Sequence, residues 1–112
     1  MLNLSGKVAI VTGASRGIGR AIAKRLSEQG AVIVAVARGD HAREVVEGLT
    51  AQGRRAEAVS LDVTDSAAVQ KLPAEVTERH GRLDIVVANA GITRENGGSE
   101  SALVSLSVPM PW

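Results

Sequence analysis

Val8-Ala9-Ile10-Val11-Thr12-Gly13-Ala14-Ser15-Arg16-Gly17-Ile18-Gly19 is the stretch on which the reading of the whole chain turns. Its first four residues form an uninterrupted apolar run, the pattern of a strand buried on both faces. Three glycines follow within seven residues. Ile18, Ala21, Ile22 and Leu26 then recur at helical spacing, up to a helix stop at Gly30. A strand that passes through glycines into a helix N-terminus suits a pyrophosphate, because unpaired N–H groups and the helix dipole both meet the anion there. Gly13 is expected to turn the chain off the strand. Gly17 lets the backbone approach the phosphates, and Gly19 lets the helix pack close to the sheet. Ser15 and Arg16 can add donors. The spacing Gly-x-x-x-Gly-x-Gly carries weight because a strand precedes it and a helix follows.

Working outward, Val32 to Ala37 reads as a second strand. Asp40 can cap a second helix, with Val45, Val46 and Leu49 inward and Gly53 past its end. Ala56 to Leu61 is a weaker third strand. Asp62-Val63-Thr64-Asp65 turns into a third helix with Val69, Leu72 and Val76 inward, and Pro73 is expected to kink or split it. Gly81 ends that helix, Leu83 to Ala88 is the fourth strand, and Asn89-Ala90-Gly91 follows. Strands alternating with single helices imply an α/β, Rossmann-type parallel sheet in the order 3-2-1-4 with three helices, stopping after the fourth strand.

The character changes after Asn96. Residues 1–96 read as an NAD(P)-binding half-domain. Residues 97–112 read as a divergent, serine-rich tail in which Leu103 to Val108 could pass for a short strand, but which is expected to be loose. The fourth strand is then an open apolar edge that invites another chain, such as a full-length relative, and the chain alone is expected to be marginally stable.

Composition narrows the alternatives. Among the 112 residues there is one Trp and no Phe or Tyr, so the core must come from Val, Ile, Leu and Ala. A net charge of +1 gives no electrostatic footprint for nucleic acid or an anionic membrane. With no Cys there is no thiolate nucleophile and no Cys-based zinc site. Residues 1–7 lack the layout of a signal peptide, and no apolar run approaches the ~20 residues of a membrane span. The expected location is therefore cytoplasmic. His41 and His80 are lone histidines on presumed polar helix faces and do not suggest a metal site.

Thr12-Gly13-x-x-x-Gly17-x-Gly19, Asp62-Val63 and Asn89-Ala90-Gly91 together resemble the short-chain dehydrogenase/reductase family, in the family's order and spacing. Leu4-Ser5-Gly6-Lys7-Val8-Ala9 looks like its usual opening. The glycine segment and Asn89 to Arg94 are most similar to its 3-oxoacyl-acyl-carrier-protein reductase branch of fatty acid synthesis. The resemblance implies an oxidoreductase. Gly13, Ala14, Ser15, Arg16, Gly17, Ile18 and Gly19 would hold the pyrophosphate and adenosine ribose. Asp62 would bond the adenine amino group, with Val63 beside the ring. Asn89, Ala90 and Gly91 would line the nicotinamide ribose. Asp62 and Asn89 also have the plainer reading of turn formers.

Cofactor choice turns on the end of the second strand. Relatives that use NAD carry an acid there for the ribose 2′-hydroxyl. Here Ala37 is followed by Arg38, whose guanidinium can grip a 2′-phosphate, and Arg16 stands where the family often places a second cation. NADP(H) is favoured over NAD(H), although Asp40 lies close by.

The resemblance also implies a catalytic serine, tyrosine and lysine beyond the fourth strand. This chain contains no tyrosine, so these 112 residues are expected to bind cofactor without turnover. A non-catalytic module that pairs with a relative, or the product of a disrupted gene, are the other readings left open.

Overall fold

The computed structural model describes residues 3–14, 17–62, 64–93 and 100–107. The elements are β1 (Val8–Thr12), α1 (Gly17–Glu28), β2 (Val32–Ala37), α2 (His41–Ala51), β3 (Ala56–Ser60), α3 (Ser66–His80), β4 (Ile85–Thr93) and β5 (Glu100–Ser107). They build one sheet in the order β3-β2-β1-β4-β5. The first four strands are parallel, in the order expected, while β5 runs antiparallel to β4.

Alternation along the strands sorts the core into two layers. On one side Ala9, Val11, Ile33 and Ala35 meet Ala23 of α1 and Ala42, Val45 and Leu49 of α2. On the other, Val8, Ile10, Val32, Val34 and Val36 meet Leu72 and Val76 of α3. Alanines crowd the layer that seats two helices, where small side chains allow close approach. Branched side chains fill the layer beneath the third.

The helix ends follow the glycines. At α1, Gly30 (φ +102°) donates to Ser27 O at 3.0 Å, and Ala31 N–H donates to Leu26 O at 3.1 Å. At α2, Gly53 (φ +81°) donates to Thr50 O and Arg54 N–H to Leu49 O, both at 3.0 Å. These paired bonds satisfy carbonyls that a helix terminus leaves open, and the left-handed residue is glycine because a Cβ is strained there. At the start of α3 the Asp65 carboxylate accepts from Ala68 N–H at 3.2 Å. Asp40 occupies the corresponding place before α2 but makes no side-chain cap bond.

Pro73 neither splits nor ends α3, which continues to His80. Pro73 is exposed, and Leu72 and Val76 anchor the helix on both sides of it. The packing overrides the missing N–H and the crowding of the Val69 carbonyl. Pro73→Ala is therefore expected to raise stability by about 2 kcal/mol, roughly the helix-interior penalty less the unfolded-state entropy that proline removes. Urea unfolding checks it, and an unchanged or lowered midpoint would contradict it.

The largest departure from expectation concerns the fourth strand and the tail. β4 extends through Asn89-Ala90-Gly91 to Thr93 instead of ending at Ala88. Residues 100–107, expected to be loose, pair with it in unbroken register from Val86↔Ser107 to Thr93↔Glu100. The edge expected to lie open for another chain is thus occupied by this one. An uncovered strand offers a row of N–H and C=O groups, and a tail alternating serine with apolar residues has the period-two pattern to take them up.

Below the sheet, Asp84 fastens β1 to the segment entering β4. The Val8 N–H donates to Asp84 Oδ2 at 2.9 Å, and Arg82 donates to both carboxylate oxygens at 2.8 Å. The Arg82 hydrogen bonds hold this carboxyl below the usual aspartate range, against partial burial. A depressed folded-state pKa stabilises the fold above the unfolded value of about 3.9, and that contribution is lost as pH falls through the folded pKa. Asp84→Asn should flatten this acid-side loss in urea titrations carried from neutral pH into the acid range. An unchanged slope would contradict the assignment.

Candidate functional site

β1, β2 and β3 run parallel, so their carboxyl ends lie along one rim of the sheet. The connection through α1 leaves β1 on one face, and the connection through α3 enters β4 on the other. The crevice where the strand order reverses lies between β1 and β4, the usual ligand position in open α/β sheets. There Thr12 Oγ1 donates to Val87 O at 3.4 Å, tying the end of β1 to β4.

The turn out of β1 is built as the glycines require. Gly13 (φ +63°) and Gly17 (φ +62°) both adopt left-handed backbone. Nothing lies within 4 Å of where a Gly17 Cβ would stand, so glycine is needed there for conformation and not for space within this chain. Ala14 is fully buried and its N–H donates to Val36 O at 3.4 Å, so it anchors the turn onto β2. Gly19 is buried within α1, as close packing against the sheet demands. The first turn of α1 carries no acid, leaving the positive end of the helix dipole uncompensated. Ile18 is 49% exposed, the exposed large apolar side chain among the described residues. Ser15, Arg16 and Val63 lie outside the described residues.

Further along the rim, Leu61 N–H donates to Ala37 O at 3.0 Å, which sets the ends of β2 and β3 side by side. Arg38 projects just past β2 and is exposed. Asp62 stands just past β3, and its Oδ1 accepts from Thr64 N–H at 2.9 Å and Thr64 Oγ1 at 2.7 Å. These bonds, first the hydroxyl's, hold the Asp62 carboxyl below its ordinary range, and the Arg38 charge adds to them. The turn-forming reading of Asp62 is realised, and Thr64, which the sequence reading passed over, orients the carboxylate. The Asp-x-Thr spacing was the available signal. A groove of about 490 Å³ opens beside Asp62, lined also by Leu61, Asp65, Lys71 and Glu75.

Asn89, Ala90 and Gly91 lie within β4, in register with Val104, Leu103 and Ala102 of β5. The sheet therefore brings the three segments into one run of strands: the glycine turn after β1, Asp62 after β3 with β2 between them, and Asn89 in β4 on the other side of β1. His80 stands at the far end of α3, its Nε2 2.7 Å from Glu57 Oε1, which also accepts from Arg79 Nη2 at 2.9 Å. Partial burial pushes the Glu57 carboxyl up, but these bonds outweigh it and hold it low. Among the described residues no group of three or more His, Cys, Asp or Glu side chains could hold a metal. No described helix is long and apolar enough to cross a membrane.

The chain belongs to the short-chain dehydrogenase family, whose family model, described as short chain dehydrogenase, matches residues 7–105. It is 40% identical over 95 residues to the 3-oxoacyl-[acyl-carrier-protein] reductase FabG of Escherichia coli (strain K12), covering 85% of this chain and 38% of that protein. It is 46% identical over 92 residues to the 2,3-dihydro-2,3-dihydroxybenzoate dehydrogenase of Bacillus subtilis (strain 168), covering 81% and 35%. Among solved structures, a metagenomic short-chain oxidoreductase in complex with NADP superposes with TM-score 0.78 at 44% identity, covering 84% of this chain and 43% of that one. A short chain dehydrogenase from Burkholderia cenocepacia J2315, also in complex with NADP, gives 0.75 at 49%, covering 82% and 38%. The chain thus spans well under half the length of these relatives.

Proposed function

We propose that this chain binds NADP(H), in preference to NAD(H), along the carboxyl rim of β1 to β3. It would be the cofactor-binding portion of a carbonyl-reducing oxidoreductase of the 3-oxoacyl-acyl-carrier-protein reductase type. The observation that carries the reading is the turn after β1. Two left-handed glycines, Gly13 and Gly17, lead into a helix whose first turn has no acid. Exposed Arg38 stands at the end of the adjacent strand, β2, with no acid at Ala37. These residues fit a dinucleotide with a 2′-phosphate: Gly13 to Gly19 would meet the pyrophosphate, and Arg38 with Arg16 the 2′-phosphate. Asp62 and Val63 would take the adenine, and Asn89, Ala90 and Gly91 the nicotinamide ribose. Ile18, exposed without ligand, would be covered. The two relatives solved with NADP support the cofactor. The Escherichia coli reductase supports the branch, and the Bacillus subtilis dehydrogenase, named for a different substrate, is similar over a stretch of comparable length.

A dinucleotide held by these residues would supply or accept a hydride. The chain's own contribution is binding and orientation. It holds no tyrosine, the group that gives the proton in the family it resembles. Titration of the purified chain with NADPH and NADH, followed by calorimetry, tests the reading. Saturable NADPH binding, tighter than NADH, with no NADPH oxidation in the presence of an acetoacetyl thioester is the expected result. No binding, or tighter NADH binding, would overturn the cofactor assignment; turnover would overturn the division of labour.

A further inference from the structure

We propose that a second copy of this chain adds to the outer edge of β5, the two β5 strands pairing antiparallel across a twofold axis to make one continuous sheet. The sheet ends in β3 on one side and β5 on the other. Sheet edges are ordinarily protected by shortness, by lysine or proline, or by a bulge. β3 is five residues long, and its Glu57 is clasped by Arg79 and His80 of α3. β5 has none of these safeguards. It is eight residues long, contains no lysine, arginine or proline, and carries a single charge, Glu100, at its first position. Its register with β4 runs without a break, so no bulge turns the edge away. One row of its backbone groups pairs with β4. Among the described residues no strand meets the other row.

The strand's own sequence favours a copy of itself as the occupant. Full antiparallel overlap sets Glu100 opposite Ser107 of the second copy, Ser101 opposite Leu106, Ala102 opposite Ser105, and Leu103 opposite Val104. The only charge then faces a neutral serine instead of its own like, and the apolar pair falls on the axis, where cross-strand contacts are made twice. The interface is isologous and consumes the single β5 edge of each copy, so association closes at the dimer. The axis at Leu103 and Val104 lies one strand from Ala90 and Asn89, which the proposed function gives to the nicotinamide ribose, but the pairing uses only the outer backbone row of β5, so the inference does not depend on that reading.

Sedimentation velocity of the full chain over rising concentration is expected to show a monomer–dimer equilibrium, with Val104→Lys raising the dissociation constant at least ~10-fold by placing a charge beside the axis. Because the chain has no cysteine, single nitroxide labels can be placed by Ser105→Cys and, as a control on α3, Gln70→Cys. Dipolar broadening at Ser105→Cys and none at Gln70→Cys is expected in the dimer. This readout decides the matter by itself if Val104→Lys does not fold. A chain that stays monomeric, a dimer with an unbroadened Ser105→Cys label, or open-ended assembly would each overturn the proposal.

Discussion

A Gly30→Val chain is expected to be destabilised by about 4 kcal/mol or more, a large share of the roughly 5–15 kcal/mol typical of a small domain. Gly30 sits at φ +102°, where a side chain costs roughly 1–2 kcal/mol before any contact is counted. A Cβ there would meet Ser5 Oγ at 2.9 Å and the Ser5 backbone Cα and N at 3.0 Å. Backbone cannot rotate aside as a side-chain tip can. The segment would have to move, and with it the Leu4 N–H bond to Gln29 O, which closes the end of α1 at 2.8 Å. Valine adds branched bulk to the same clash. Gly48→Ala is the matched control: Gly48 lies on the exposed face of α2 with nothing within 4 Å of its Cβ position. That substitution should stabilise by up to about 1 kcal/mol, the propensity difference alone. Urea midpoints of the two variants should move in opposite directions. A Gly30→Val chain as stable as the parent would refute the close approach at Ser5.

Arg38→Asp is expected to reverse cofactor preference, shifting the ratio of NADPH to NADH affinity by on the order of 100-fold. Two effects act in the same direction. The 2′-phosphate loses a charge-assisted donor and gains a like charge, while the ribose 2′-hydroxyl of NADH gains an acceptor. Arg38 is exposed and makes no ion pair among the described residues, so its replacement should leave the fold intact. Asp62 gives an internal check. The Arg38 charge helps to hold its carboxyl low, so Arg38→Asp should raise the Asp62 pKa, readable by NMR titration. Unchanged cofactor selectivity with a shifted Asp62 titration would separate a failed site assignment from a failed geometry.

Much of this architecture was legible in the chain because each signal is local. Val8 to Val11 and Val32 to Ala37 are too apolar for anything but buried strands, and Gly30, Gly53 and Gly81 stop the helices at the residues where the backbone turns left-handed. The candidate site was legible for the same reason, since a glycine turn and an Asp before a helix are defined within a few residues of sequence. What local reading missed depends on partners far along the chain. Pro73 stays helical because Leu72 and Val76 pack onto β1 and β2. His80 is partnered by Glu57, distant in sequence, and Asp84 by the Val8 amide. Ala14 belongs to the core and not to an open loop because β2 presents the Val36 carbonyl to it.

The sequence by itself therefore determined the four strands, the three helices and the glycine turn, since these follow from apolar run length, period and backbone conformation over a few residues, and their alternation with right-handed crossovers favoured the order 3-2-1-4. Only the tertiary structure decided what happens beside β4. Residues 100–107 carry a period-two alternation of serine and apolar residues, and the exposed row of backbone donors and acceptors on β4 is what turns it into a paired strand. Strand pairing of that kind is a property of two segments together, and no pattern within either one specifies it.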